Sequence, residues 1–285
     1  MKGEIVIDFS ILGETETGKT IGDVYSEEMV GKTINYTSNT ALPEGTEWII
    51  LGEDKDGSIM LTTSKPIENG FTLNGTAEAW LSYEEDIKEA CSIYGATIQG
   101  KTVTARSITL EDVNRVTGFV EPEFNTYTFG STLDFDNKKV NYYHPDAESE
   151  NFWSKEETTY ENDAYYYYID SSDNTVKYAY EGNSLSPETY TTSTLKNMDI
   201  ILGENSDYMY LLGSRSVSVY SSYADFSVAN VGEGIVVSSN FDLCDSGSDG
   251  FNDSGYSFAV PVRPIINLPS NIQVEQLNGE WSIVD

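Results

Sequence analysis

Short β-type runs, apolar segments set off by polar turn residues, recur along this chain. The run "EWIILGEDKDGSIMLTTSK" is the clearest. Trp48 to Leu51 form one apolar segment, Asp54, Lys55, Asp56 and Gly57 a polar turn, and Ser58 to Thr63 a second segment. This predicts a β-hairpin. Helical spacing replaces this pattern in "GTAEAWLSYEEDIKEACSIYG". There Ala79, Trp80, Tyr83, Ile87, Ala90 and Cys91 fall on one stripe and Gly95 stands at the C-terminal end. A second, shorter helix is predicted in "ITLEDVNRVTG", with Thr109 as cap, Asp112 three residues on and Gly118 closing it.

From about Glu121 to Glu204 aliphatic residues thin out and Tyr, Asn, Ser, Thr and acidic residues take over. That composition predicts long loops and edge strands. The β pattern returns from Tyr208 in "YMYLLGSRSVSVYSSYADFSVANVGEGIVVSS" and again in "YSFAVPVRPIINL". The expected organisation is α+β. An N-terminal strand and linker spans 1–29, and the main domain spans 30–285 with a polar, Tyr-rich insertion at about 121–204.

Charge narrows the partners. The 285 residues hold 16 Lys+Arg against 47 Asp+Glu, a formal charge of −31. Nucleic acid is therefore not expected as a partner, because phosphate binding needs clustered Lys and Arg. Aromatics make up 12% of the chain, with 20 tyrosines, so this acidic chain is expected to fold. Cys91 and Cys244, far apart in sequence, fit no zinc or redox spacing; two buried thiols and one long-range disulfide both remain open. No stretch approaches the roughly 18 apolar residues of a membrane helix, and the N-terminus has neither the basic nor the apolar region of a signal peptide. A membrane is expected as a partner only through an anchor outside this sequence.

Candidate chemistry is sparse. "GETETGKT" fits the spacing of a phosphate-binding loop through Gly13, Gly18, Lys19 and Thr20. Glu14 and Glu16 would repel phosphate, Gly22 weakens the helix that should follow, and no alternating strand–helix pattern supplies a parallel sheet. The segment is read as a polar turn between strands, with no nucleotide bound. Asp54 and Asp56, and Asp245, Asp249 and Asp253, lie in glycine-containing turns that lack the spaced ligands and closing Glu of an EF-hand; weak calcium binding stays open. The lone His144 has no identifiable catalytic partner. No cofactor, metal or catalytic residue is expected, and the chain is read as a non-enzyme. Tyr165 to Tyr168, with Tyr142, Tyr143, Tyr160 and Trp153 nearby, form a tyrosine-rich region. It fits a binding surface, and equally a sheet exposed on one side.

The stretch from "YLLGSRSVSVYSSYADFSVANVGEG" to "VPVRPIINL" resembles a pattern of Tyr-Trp-Leu-x-Ser-Arg, a variable Ser/Tyr-rich segment, Phe-x-Val-x-x-Val-x-x-Gly and Val-Arg-Pro-Val. That order is similar to bacterial C-type-lectin-like domains of unknown function, related in fold to retroelement-diversified variable proteins and to the formylglycine-generating enzyme. Upstream, "EWIILGEDKDGSIMLTTSKPI", opening at Trp48, and "ARSITLEDVNRVTG", containing Arg106, resemble the opening hairpin and a helix-preceding motif of those domains. The sequence departs in having Leu211-Leu212 in place of Trp-Leu and an additional Val260-Pro261 before Val-Arg-Pro. The enzyme's catalytic cysteines have no match, and neither has the calcium-dependent sugar motif of animal lectins.

The resemblance implies a C-type-lectin-like fold of twisted antiparallel sheets, two short helices and long polar loops. It implies structural roles for Trp48, Arg106, Arg215, Arg263 and Pro264, with the two C-terminal arginines meeting buried polar groups. It also implies a ligand-facing surface carrying Ser218, Tyr220, Ser222, Tyr223, Asp225, Ser238, Asn240 and Asp242. The expected function is an adhesin-like module that recognises a glycan or protein on another surface, extracellular, at a bacterial cell surface or on a phage particle. The alternative is a structural subunit of a surface fibre, pseudopilus or phage particle, with homo-oligomerisation through the tyrosine-rich face.

Overall fold

The computed structural model describes residues 16–68, 70–118, 133–134, 139–140, 165–170, 175–181, 195–202, 209–219, 224–232, 235–247, 250–277 and 279–284. The fold is mixed, rich in sheet with a few short helices, and the described strands form no barrel. In chain order the first elements are β1 (Glu16–Thr20), α1 (Ile21–Val24), β2 (Ile34–Asn35), β3 (Trp48–Glu53), β4 (Ile59–Thr63) and β5 (Thr72–Asn74). There follow α2 (Ala77–Ser92), β6 (Ala96–Ile98), β7 (Lys101–Val103), β8 (Ala105–Ser107), α3 (Leu110–Thr117), β9 (Leu133–Asp134) and β10 (Lys139–Val140). The remainder is β11 (Tyr165–Asp170), β12 (Thr175–Glu181), α4 (Met198–Leu202), β13 (Tyr210–Val219), β14 (Ala224–Gly232) and β15 (Ile235–Gly247), then β16 (Gly250–Asp253), β17 (Ser257–Ala259), β18 (Pro264–Leu268), β19 (Gln273–Leu277) and β20 (Glu280–Ile283).

The chain divides into two compact units, the first comprising Met1–Ser64, Tyr94–Thr104 and Ile266–Asp285. Its four-stranded sheet has the order β1-β19-β20-β2, so it joins segments from both ends of the sequence. Lys19 pairs with Val274 and Thr20 with Gln273 in antiparallel register, while Ile34 meets Trp281 in parallel. The hairpin β3–β4 forms as its two apolar segments and the polar turn between them predict. Its turn is held by Asp54 N–H donating to the Ser58 carbonyl (2.8 Å) and Ser58 N–H to Asp56 Oδ1 (2.9 Å), with Gly57 at φ 82°. Ile50, Leu51, Ile59, Met60 and Leu61 are all at most 1% exposed, so both faces of the hairpin contribute to the core. An apolar run buried on both faces needs no polar alternation.

The second unit comprises Lys65–Ile93 and Ala105–Ile265. Its six-stranded sheet, β12-β11-β13-β14-β15-β16, is antiparallel at every described pairing. Helix α2 packs on it through four residues of the predicted stripe, Trp80, Tyr83, Ile87 and Cys91, joined by Ala77, which lay outside it, all buried in one cluster with Leu211, Phe226, Val228, Leu243 and Cys244; Ala79 and Ala90 of the stripe are half-buried. Trp80 meets Phe226 edge-on, ring centroids 5.0 Å apart. The helix stops at Ser92, with Ile93 as its right-handed C-cap, so Gly95 is not the terminating residue that its sequence position suggested. Helix α3 carries the predicted capping box between Thr109 and Asp112, and Gly118 ends it in the left-handed region at φ 69°.

Cys91 and Cys244 are free thiols, both buried. Burial pushes the Cys91 thiol up to about 12.

Candidate functional site

The sheet of the second unit sets the geometry of the implied ligand-facing segment. Ser218 on β13 stands opposite Asp225 on β14, and Asp225 stands opposite Asp245 on β15. A hydroxyl residue and two carboxylate residues thus share one row across three adjacent strands. The next row, Val217, Phe226 and Cys244, places Phe226 and Cys244 in the core against α2.

Ser238 and Asn240 lie on β15 between Val237 and Phe241, where the ladder to β14 shifts register. Such irregularities bend a strand and increase its local twist. Asp242, two residues on, is exposed. Its carboxylate accepts a short hydrogen bond from Ser227 Oγ, and its backbone carbonyl accepts from Ser254 Oγ (2.9 Å) and from Tyr256 Oη. Burial, reinforced by Asp242 and Cys244, raises the Tyr256 phenol above its usual range, so it stays a protonated donor. Sequence reading did not single out Ser227, Ser254 or Tyr256. The Ser227–Asp242 link depends on a register shift between Phe226 and Ser227, which leaves no local signal. Tyr220, Ser222 and Tyr223 lie outside the described residues, as do Tyr142, Tyr143, His144, Trp153, Tyr160 and Asp249.

The arginines are framework groups. Arg215 Nε donates to Glu84 Oε1 (3.1 Å) and its guanidinium lies 4.8 Å from the centroid of the Trp80 ring, joining β13 to α2. Arg263 is 1% exposed; its Nη1 donates to the Ile201 carbonyl (2.9 Å) and to Tyr210 Oη (3.2 Å). Pro264 follows as the first residue of β18. Arg106 forms a two-pronged pair with Asp112, at 2.5 and 2.9 Å. Planar guanidinium–carboxylate pairing of this kind fixes orientation as well as charge. Trp48 is buried at the start of β3, 5.0 Å from Tyr36 in an edge-to-face pair.

The other motifs have local structural roles. Gly18, Lys19 and Thr20 run within β1 beside β19, and Thr20 caps α1: its Oγ1 donates to Asp23 Oδ2 (2.7 Å) and accepts from Asp23 N–H (3.3 Å). Gly13 and Glu14 are outside the described residues. In the hairpin turn, Asp54 Oδ2 accepts from Asn267 Nδ2 (2.5 Å) and Asp54 Oδ1 from Lys55 N–H (2.6 Å). Among the described residues, no three acidic, His or Cys side chains are grouped to hold a metal ion. No helix among them is long and apolar enough to cross a membrane.

No family model, no curated protein and no solved structure matches this chain.

Proposed function

We propose that the chain is a non-enzymatic recognition module with a C-type-lectin-like second unit, and that it engages a glycan or a protein on another surface. The observation that carries this reading is the register of Ser218, Asp225 and Asp245 across β13, β14 and β15. It sets hydroxyl-bearing and carboxylate-bearing residues in one row of the sheet on which α2 packs. Binding sites built on sheet elements are held more closely than sites on loops alone, and pre-organisation lowers the entropy lost on binding. Ser238, Asn240 and Asp242 belong to β15, and Tyr220, Ser222 and Tyr223 fall between β13 and β14 in the sequence.

Arg215, Arg263 and the Arg106–Asp112 pair supply the framework of this reading. Their hydrogen bonds are directed inward to Glu84, Ile201, Tyr210 and the α3 cap. Working at an extracellular surface or on a phage particle follows from the proposed family, as does the absence of nucleotide and cofactor. Probing glycan arrays and whole bacterial cells with labelled protein tests the proposal. Saturable binding supports it. No binding to any surface, together with a stable homo-oligomer in sedimentation, replaces it with a structural subunit whose polar face is buried between copies.

A further inference from the structure

The first unit contains an open cleft of about 610 Å³, bounded by the chain from Thr33 to Trp48 and by Glu280 and Trp281. The volume falls within the about 300 to 1,000 Å³ of ligand sites. Strand β2 brings the two segments together: Ile34 stands beside Trp281, and Asn35 beside Ser282. Three aromatic side chains that are at most 9% exposed, Tyr36, Trp48 and Trp281, form the apolar part of the wall. Asn35 and Asn39 are exposed amides on the same wall, with the Thr37 and Thr46 hydroxyls beside them.

The lining chemistry selects among ligand classes. Among the described residues, neither lysine nor arginine lines the cleft, so none of them compensates a phosphate, sulfate or carboxylate there. The charged residues among the described lining, Glu47 and Glu280, are exposed. Carboxylates are abundant throughout this chain, 47 in all, so two of them on a rim do not by themselves select a cation. Amides and hydroxyls each offer donor and acceptor capacity, which suits a ligand bearing many uncharged hydroxyls. Aromatic side chains supply apolar area for its C–H faces.

We propose that this cleft is a binding site for a neutral saccharide chain. Asn35 and Asn39 hydrogen-bond its hydroxyls, and the Tyr36, Trp48 and Trp281 wall takes its apolar faces. The site uses none of the residues assigned to the β13–β15 surface, so it stands or falls separately from the recognition reading above.

The test is calorimetric titration of the whole chain with neutral hexasaccharides (maltohexaose, cellohexaose, chitohexaose, mannohexaose), followed in parallel by tryptophan emission, with spermidine as a cationic comparison. Two variants sit outside the core, the double change Asn35→Ala/Asn39→Ala and the cleft-filling Ala41→Arg; circular dichroism confirms that both fold. The expected result is one-to-one binding of at least one hexasaccharide, with Kd below about 1 mM. The double change should weaken it at least tenfold and Ala41→Arg should abolish it. Tyr220→Ala/Tyr223→Ala/Asp225→Ala should leave it unchanged. Absence of binding to every hexasaccharide overturns the proposal. So does binding that survives both cleft variants, or a cleft that takes spermidine and no saccharide.

Discussion

The indole N–H of Trp80 donates to the backbone carbonyl of Ser227 across 2.9 Å, a hydrogen bond between α2 and the central strand β14. Trp80 is 2% exposed and Ser227 is fully buried, so neither group has water as an alternative partner. The same ring carries the Arg215 guanidinium on one side and Phe226 at its edge. One side chain therefore couples α2, the framework arginine and β14.

Removing that coupling should be costly. Trp80→Phe keeps most of the apolar volume and leaves the Ser227 carbonyl without this donor, with an expected loss of about 1–3 kcal/mol. Trp80→Ala adds a cavity and should cost about 3–5 kcal/mol. Urea denaturation of the two variants measures both, and an unchanged stability of Trp80→Phe would mean that the hydrogen bond contributes nothing.

Asp112 gives a pH signature. Burial pushes its carboxyl up, yet hydrogen bonding and charge from Arg106, with the Thr109 N–H and Arg115, hold it below its ordinary 3.8. A carboxyl depressed in the native state stabilises the fold above its unfolded value, and that contribution is lost as pH falls through the native value. Asp112→Asn should lower stability at pH 7 by about 2 kcal/mol, less than for a fully buried pair because Arg106 is one-third exposed. The variant should also show a shallower decline below about pH 4 in an acid titration of unfolding.

Both thiols should be inert in the folded protein. Cys91 and Cys244 are fully buried, which shields both from reagent, and the Cys91 thiol, pushed up to about 12, carries almost no thiolate at pH 8. A thiol-reactive chromophore should label neither cysteine in native buffer and both after denaturation without reductant. Finding no reactive thiol in the unfolded, unreduced chain would mean that the two are joined.

Gly22 tests the join between the chain ends. A Cβ at this position would lie 2.8 Å from Ser270 Cβ and 2.9 Å from the Ser270 carbonyl oxygen. The Gly22 N–H also donates to that carbonyl at 2.8 Å, which holds the two backbones close. Gly22→Ala should destabilise the protein by about 1–3 kcal/mol through this crowding, read as a fall in Tm. An unchanged Tm would show that the Ser270 segment moves aside freely.

What was legible in the sequence was local. The β3–β4 hairpin, the buried stripe of α2 and the Thr109–Asp112–Gly118 caps each follow from residues within one or two turns of one another. The C-terminal end of α2 was misread because Gly95 is a plausible stop, whereas the chain turns at Ile93 with right-handed backbone. The order of the six-stranded sheet was not legible, because β11 and β12 join β13 across a long polar segment. The row Ser218, Asp225 and Asp245 depends on that register. The cleft of the first unit was missed for the same reason: Trp281 and Glu280 reach Tyr36 and Trp48 only after β20 pairs with β2. Nothing in the spacing of either segment announces the other.

The measurement that bears most directly on the recognition proposal compares wild-type protein with the folded triple variant Tyr220→Ala/Tyr223→Ala/Asp225→Ala on glycan arrays and whole bacterial cells. The account predicts saturable wild-type binding that the variant loses by at least tenfold while keeping the wild-type Tm within a few degrees. Equal binding by the two proteins would contradict it and remove the β13–β15 surface as the ligand site.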